Sequence, residues 1–303
     1  MIWGWKEARR MAYIEISNIT KDYGAGRGVF GVDLNIERGE VFGFVGTNGA
    51  GKTTLIRQIM GFLRPDGGSI RINGLDSWHD AAEIKKLVGY VPGEIAFPDA
   101  PTGAVFLKRQ AELMGVSDMS YAQEITKKLQ LDPTANLKRM SKGMKQKTAI
   151  VAAFMADADI LILDEPTTGL DPLMRAEFIE ILSDEREKGK TIFMSSHMFE
   201  EVEDACDKVA LIKDGRIIAV KSTLEIKHNQ DKTYKIEFTD EGEYRRFLGE
   251  SFELTERRDD QNQVLVNVND QEINQFLSVL KAYRVKFITE IKYSLEQYFK
   301  SLY

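Results

Sequence analysis

The sequence predicts an α/β domain organised on a phosphate-binding loop, followed by a small α+β domain of ferredoxin-like order. Three observations carry that expectation. First, Gly46-Thr-Asn-Gly-Ala-Gly-Lys-Thr53, with Thr54 behind it, lies between an apolar run over residues 41–45 and an apolar-striped helix over 55–60. A strand, a glycine-rich loop and a helix in that order are what a phosphate needs. Glycines let the backbone close around it, and the helix start turns unpaired N–H groups and a positive dipole end toward it. Second, buried-strand runs and helical stretches make up the chain as far as about residue 221, which is the texture of an α/β core. Third, beyond Ser222 charge rises, glycine thins out, and the order becomes βαββαβ.

Taken in order, residues 12–18 alternate apolar and polar side chains and read as an edge-type strand. Residues 21–28 form a glycine-rich loop carrying one aromatic, Tyr23, and 32–36 form another strand. After the first helix, the turn signals Pro65-Asp-Gly-Gly68 and Asn73-Gly74 bracket a short strand over 69–72. A helix over 81–87 and a strand over 88–91 follow, the latter stopped by Pro92. From 102 to 157 the pattern is helical with no strong strand, so a helical subdomain is inserted into the core. Residues 160–163 restore a buried strand ending in Asp164-Glu165, and a helix over 172–188 has Pro172 just inside its start. The strand over 191–194 leads to Ser195-Ser-His197, and 208–213 pairs with 216–220 as a hairpin across Asp214-Gly215. In the last part, strands are expected over 233–238, 252–257, 264–268 and 285–291, helices over 242–249 and 271–283, and a terminal helix from Ser294. The expected organisation is an N-terminal extension (1–11), a nucleotide-binding domain (12–221, helical subdomain 102–157) and an accessory domain (222–303).

Composition narrows the function classes. The 303 residues are 43% hydrophobic and 29% charged, which is ordinary for a globular chain. A net charge of −6 argues against a basic nucleic-acid surface, so no nucleic-acid partner is expected. The single cysteine, Cys206, allows no internal disulfide and fits a reducing compartment. No apolar run approaches the length of a membrane-spanning helix. The first ten residues lack the apolar core of a signal peptide and precede Met11, so they read as a dispensable extension or an upstream start. The alternative is that Trp3 and Trp5 touch a membrane interface.

Chemistry concentrates in a few places. Lys52 adds a full charge at the outer phosphates, and the Thr53 hydroxyl is placed to ligate magnesium. Asp164 ends a buried strand at the edge where ligands of α/β folds bind, making it a candidate magnesium partner, directly or through a water. Glu165 beside it is a candidate general base for the water that attacks the outer phosphate. Ser141 and Gly143 precede a helical run over 148–154, a second helix start suited to an anion. One nucleotide already has its helix start at the loop beginning with Gly46, so a second implies a second copy of such a domain. A capped surface helix is the alternative.

These motifs, in this order, resemble those of the ATP-binding subunit of ABC transporters, of the exporter-like single-domain type. The resemblance covers about residues 12–221. It rests on the P-loop (Walker A) run Gly46–Thr53, the signature-like Ser141-Lys-Gly-Met-Lys-Gln146, Leu161-Ile-Leu-Asp-Glu-Pro166, the D-loop-like Thr167-Thr-Gly-Leu-Asp-Pro172, and the switch-histidine-like Ser195-Ser-His197. The resemblance implies a head-to-tail dimer of two ATPase subunits, homomeric or with a related chain, holding two ATP molecules between them. It implies that Tyr23 stacks on adenine and that Gly46, Thr47, Asn48, Gly49, Ala50, Gly51, Lys52, Thr53 and Thr54 hold phosphates. Thr53 and Asp164 would serve Mg2+, Glu165 the attacking water, and His197 the γ-phosphate. Ser141 and Gly143 would bind the partner's γ-phosphate.

Two departures stand out. Lys142 and Met144 replace the usual glycine and glutamine of the signature, a form similar to that of single-domain exporter ATPases. In Tyr90-Val-Pro-Gly-Glu94, Gly93 stands where the family places its Q-loop glutamine, with Glu94 or a water as the candidate substitute. The resemblance implies a cytoplasmic ATPase, peripheral on the inner face of the cell membrane, that drives a permease on a separate chain. Efflux of a drug, antibiotic or lipid-like compound is the expected work. The alternatives are a soluble ABC ATPase not coupled to transport and a non-hydrolysing ATP switch, the latter motivated by Gly93. The accessory domain carries no chemistry-bearing motif and reads as a packing or dimer-regulating appendage.

Overall fold

The computed structural model describes residues 12–227, 230–291 and 293–302. The expected extension over 1–11 lies outside the described residues. The chain divides into two compact units between Ser222 and Thr223.

In the first unit, β1 (Ala12–Asp22), β2 (Gly28–Glu37) and β3 (Val41–Val45) precede α1 (Lys52–Ile59). Then come β4 (Gly67–Ile72), β5 (Leu75–Asp76), α2 (Ala81–Leu87) and β6 (Val88–Val91). The helical stretch holds α3 (Gly103–Met114), α4 (Ser120–Lys128) and α5 (Lys142–Phe154). The core resumes with β7 (Ile160–Asp164), α6 (Pro172–Glu187), β8 (Thr191–Ser196), α7 (Phe199–Ala205), β9 (Lys208–Lys213) and β10 (Arg216–Ser222).

The strands form two sheets. One is antiparallel in the order β2-β1-β4-β5, and the other has six strands in the order β10-β9-β3-β8-β7-β6. Within the larger sheet, β9, β3, β8, β7 and β6 run parallel, and only β10 is antiparallel to its neighbour. The strands β3, β7 and β8 are buried along their whole length, and β3, β7 up to Asp164, and the Ile192–Met194 part of β8 read as apolar runs because both faces are covered. Ile14, Ile16, Ile36, Phe42, Phe44, Ile56 and Phe193 belong to the core between the two sheets, with the Phe42 and Phe193 rings stacked 6.0 Å apart. The pairing of the antiparallel sheet is a finding beyond the sequence reading, which located β1, β2 and β4 and had no counterpart for β5 or α7.

The topology sets the site. With β7, β8 and β3 adjacent and parallel, their C-terminal ends bring Asp164, Ser195 and Ser196, and the loop after Val45 to one edge. Val91 of β6 pairs with Leu163 of β7, so the chain leaving β6 passes the same edge.

The second unit holds α8 (Thr223–Lys227), β11 (Asp231–Phe238), α9 (Glu241–Phe247), β12 (Glu253–Arg258), β13 (Gln263–Asn269), α10 (Ile273–Leu280), β14 (Val285–Ile291) and α11 (Leu295–Ser301). Its sheet is antiparallel in the order β12-β13-β11-β14, the ferredoxin-like arrangement of a βαββαβ chain. Ile236, Phe238, Phe247, Val264, Val266 and Phe276 make its own core. Ser294 caps α11 in a reciprocal box with Gln297. The short helix α8 has no counterpart in the sequence reading.

Candidate active site

The phosphate loop is built by steric necessity. Gly51 caps α1 at φ 111, and a Cβ there would stand 2.8 Å from Val29 Cγ1 and 2.9 Å from the Gly28 carbonyl, so both backbone angle and space demand glycine. Lys52, only 6% exposed, folds back on its own loop. Its Nζ donates to the Gly46 carbonyl at 2.6 Å and the Thr47 carbonyl at 3.2 Å, and stands 3.1 Å from Glu165 Oε1. An ammonium has three protons, and here it has three acceptors.

Asp164 is fully buried and pairs in register with Ser195. Its Oδ1 accepts from Ser195 Oγ at 2.6 Å, while Oδ2 is buried without a hydrogen-bond partner. Burial pushes this carboxyl above its ordinary range and the Ser195 and Thr53 hydroxyls oppose it; the Glu165 charge adds to the rise and Lys52 counters it. An orphaned buried carboxylate oxygen beside a threonine hydroxyl fits a small hard cation. No group of three or more His, Cys, Asp or Glu side chains among the described residues is arranged to hold a metal. The donor set therefore suits a cation that takes most of its shell from phosphate and water, which is magnesium's habit.

Glu165 follows with φ 50, the left-handed region that a non-glycine residue enters at a cost of about 1–3 kcal/mol. Its N–H donates to Ser195 Oγ at 3.0 Å and to the Ser195 carbonyl at 3.2 Å, which hold it there. The conformation puts the carboxylate between two donors, with Oε1 toward Lys52 and Oε2 2.5 Å from His197 Nδ1. A carboxylate only accepts, so Nδ1 carries the proton of that bond.

These groups open on a cleft of about 430 Å³. Of the residues expected from sequence, Tyr23, Asn48, Gly49, Gly51, Lys52 and Thr53 line it, together with Thr54, Glu165 and His197. Gly46 and Thr47 contribute the carbonyls that hold Lys52, Ala50 is buried, and Asp164 is buried next to Gly93, whose missing Cβ would stand 2.8 Å from Oδ2. Tyr23 is 49% exposed.

Ser141 and Gly143 are not among the cleft's residues. Ser141 caps α5, its exposed hydroxyl accepting from the Met144 N–H at 3.2 Å. A Cβ on Gly143 would stand 2.7 Å from the Gly169 carbonyl, so the start of α5 is pressed onto the loop after Glu165. Buried Gln146 reinforces this, donating from Nε2 to the Pro166 carbonyl at 2.7 Å.

Sequence reasoning passed over Arg27, Gly28 and Thr168, which also line the cleft. Arg27 follows the glycine-rich run after Tyr23, a position visible as loop but without a charge partner to mark it. It also passed over the hydroxyl of Ser195, which sits inside a quoted motif and anchors both acids. Glu94, the candidate substitute for the Q-loop glutamine, is exposed and is not among the cleft's residues. Gly93 is.

Residues 29–168 match the family described as ABC transporter. The ABC transporter ATP-binding protein NatA of Bacillus subtilis (strain 168) is 37% identical over 212 residues, which cover 67% of this chain and 86% of NatA. The bacitracin transport ATP-binding protein BcrA of Bacillus licheniformis is 30% identical over 295 residues, 95% of this chain and 96% of BcrA. Among solved structures, the ATP-binding subunit of an ABC transporter superposes with a TM-score of 0.65 at 30% identity, over 71% of this chain and 92% of that one. With the phosphate loop, paired acids and histidine gathered at one sheet edge on the ABC ATPase fold, the chain belongs to the ATP-binding, ATP-hydrolysing subunits of the ABC transporter family.

Proposed function

We propose that this chain dimerises head to tail on ATP and uses the cycle of closure and hydrolysis to drive a permease carried on a separate chain. The observation that carries the dimer is the separation of its parts. Lys52, Glu165 and His197 converge on one cleft, while the capped helix start at Ser141 and Gly143 is not among the residues that line it. A phosphate site with only one of its two helix starts is completed by the other start from a second molecule.

In this reading Tyr23 stacks on the adenine, and the loop from Gly46 to Thr54, with Lys52, holds the phosphates. Nucleotide draws Lys52 from the Gly46 and Thr47 carbonyls to phosphate oxygens, which frees Glu165 from its ammonium partner. Glu165 then accepts a proton from the water that attacks the γ-phosphorus, the bond to the β-phosphate oxygen breaks, and ADP and phosphate leave. His197 holds the γ-phosphate and keeps the Glu165 carboxylate aimed. Thr53 and Asp164 would hold Mg2+, which would supply charge neutralisation at the phosphates. Ser141 and Gly143 contact the γ-phosphate bound to the partner. The domain bounds proposed are 12–221 for the ATPase domain, with 102–157 as its helical subdomain, and 222–303 for an accessory domain that tunes dimerisation.

Efflux of an antibiotic or lipid-like compound is favoured by likeness to a bacitracin transport protein along nearly the whole chain. No helix among the described residues is long and apolar enough to cross a membrane. In this reading a permease on another chain carries the transport path, and this chain attaches peripherally at the inner face. Recovery of the tagged chain from detergent-solubilised membranes of its own host tests the coupling. A polytopic membrane protein is expected to co-purify and to raise ATP turnover. Recovery of the chain from the soluble fraction alone, fully active, would favour a soluble ATPase.

A further inference from the structure

Glu201 lies on α7, is 6% exposed, and is absent from the cleft's lining. Its Oε2 accepts from Thr167 Oγ1 at 2.7 Å and from Ser196 Oγ at 3.0 Å. Thr167 is two residues after Glu165, and Ser196 immediately precedes His197. One carboxylate oxygen thus gathers a hydroxyl from each of the two loops whose side chains meet at the 2.5 Å contact between Glu165 and His197. The Ser196 hydroxyl is itself fixed, accepting from the Met198 N–H at 2.9 Å. Glu201 Oε1 is buried without a hydrogen-bond partner and stands 3.9 Å from Arg175 Nε. Arg175 spans the same two loops on that side, donating to the Leu170 carbonyl at 3.1 Å and reaching Met198 Sδ at 3.3 Å.

A buried carboxylate is a costly way to fill space. What it does here that an apolar side chain cannot is dictate the direction of two hydroxyl protons and hold their loops in register. The strained backbone of Glu165 needs such support, since an unfavourable φ persists only where its surroundings over-determine it. Ser195 holds the residue from the amide side, and the Glu201–Thr167 bond holds the chain just after it.

We propose that Glu201 is a positioning residue for ATP hydrolysis, setting the Glu165 loop against the His197 loop from behind the site. The inference rests on the reading of Glu165 as the base. The test compares Glu201→Ala, Glu201→Gln and Thr167→Val, with Glu165→Gln alongside. Steady-state hydrolysis, equilibrium ATP binding without magnesium, and urea unfolding are measured on each. Glu201→Ala is expected to lower kcat by about tenfold to a hundredfold, with KM and ATP affinity unchanged within about twofold. Glu201→Gln, which keeps one acceptor oxygen, recovers part of that loss. Thr167→Val lowers kcat alone but adds little on top of Glu201→Ala, because both remove the same bond. A kcat in Glu201→Ala equal to that of the unmodified chain, with only the urea midpoint lowered, would reduce Glu201 to packing and overturn the proposal. So would fully additive losses in the double variant. Normal hydrolysis by Glu165→Gln would overturn the base assignment itself, an outcome distinct from either.

Discussion

The Gly93 backbone lies against the Asp164 carboxylate, so that a Cβ at position 93 would stand 2.8 Å from Oδ2 and 3.1 Å from Cγ. Gly93 is not among the glycines with positive φ, so it is space and not backbone angle that calls for glycine here. In this chain the segment after β6 therefore contributes a bare backbone wall beside the Asp164 carboxylate, where the cation is proposed to sit. Gly93→Ala is expected to displace the Asp164 carboxylate and lower magnesium-dependent hydrolysis by about tenfold or more, with the fold retained. Gly93→Gln, which restores the family's residue type, is expected to be no better than Gly93→Ala. Magnesium titration of ATP turnover checks both.

The Lys52 ammonium is held by two loop carbonyls and Glu165. Lys52→Ala removes the charge proposed to meet the outer phosphates and is expected to weaken ATP binding by about a hundredfold or more. Because it strips a buried ammonium from three acceptors, it is also expected to lower the urea midpoint. Equilibrium dialysis with labelled ATP, beside urea unfolding, checks the pair of outcomes.

A second buried network ties the helical stretch to the core. Glu185, fully buried on α6, accepts from the Tyr121 hydroxyl of α4, takes Lys188 Nζ at 2.7 Å, and forms an ion pair with buried Lys190. Lys190 is otherwise paired with Asp157 near the end of the helical stretch. Glu185→Ala strands these partners and is expected to cost about 3 kcal/mol in urea unfolding. Tyr121→Phe, which removes one donor, is expected to cost about 1 kcal/mol.

Cys206 is buried, and burial pushes its thiol up, with the Asp207 charge adding to the rise. A folded-state value above the unfolded one means the folded chain holds the thiol proton more tightly. That contribution to stability is full below the ordinary value of 9.0 and is lost as pH rises beyond it. Alkylation by iodoacetamide at neutral pH is therefore expected to be at least about a thousandfold slower in the native protein than in concentrated urea.

The phosphate side of the site was legible in the sequence because its chemistry is local. A glycine loop between a strand and a helix, or an acidic pair closing a buried strand, is contiguous along the chain. The helices and strands around them were legible for the same reason, since a run such as Ile160–Asp164 or Pro172–Glu187 declares its period within a few residues. What escaped depends on pairing across distance. Ser195 holds Asp164 from 31 residues away and Glu201 reaches Thr167 across 34, through registers that no local pattern encodes. Adjacency offers Glu94, or a water, in place of the glutamine; Glu94 is exposed and outside the cleft's lining, and it is Gly93 that lies against Asp164.

In the proposed dimer the cleft is half a site, and Ser141 of a second molecule completes it. The mass of Glu165→Gln in solution, with and without ATP and magnesium, alone and combined with Ser141→Arg, tests that arrangement. ATP is expected to convert Glu165→Gln from monomer to a stable dimer without turnover, and the added Ser141→Arg to abolish that dimer while ATP still binds. A Glu165→Gln protein that binds ATP and stays monomeric, or a dimer indifferent to both ATP and Ser141, would contradict it.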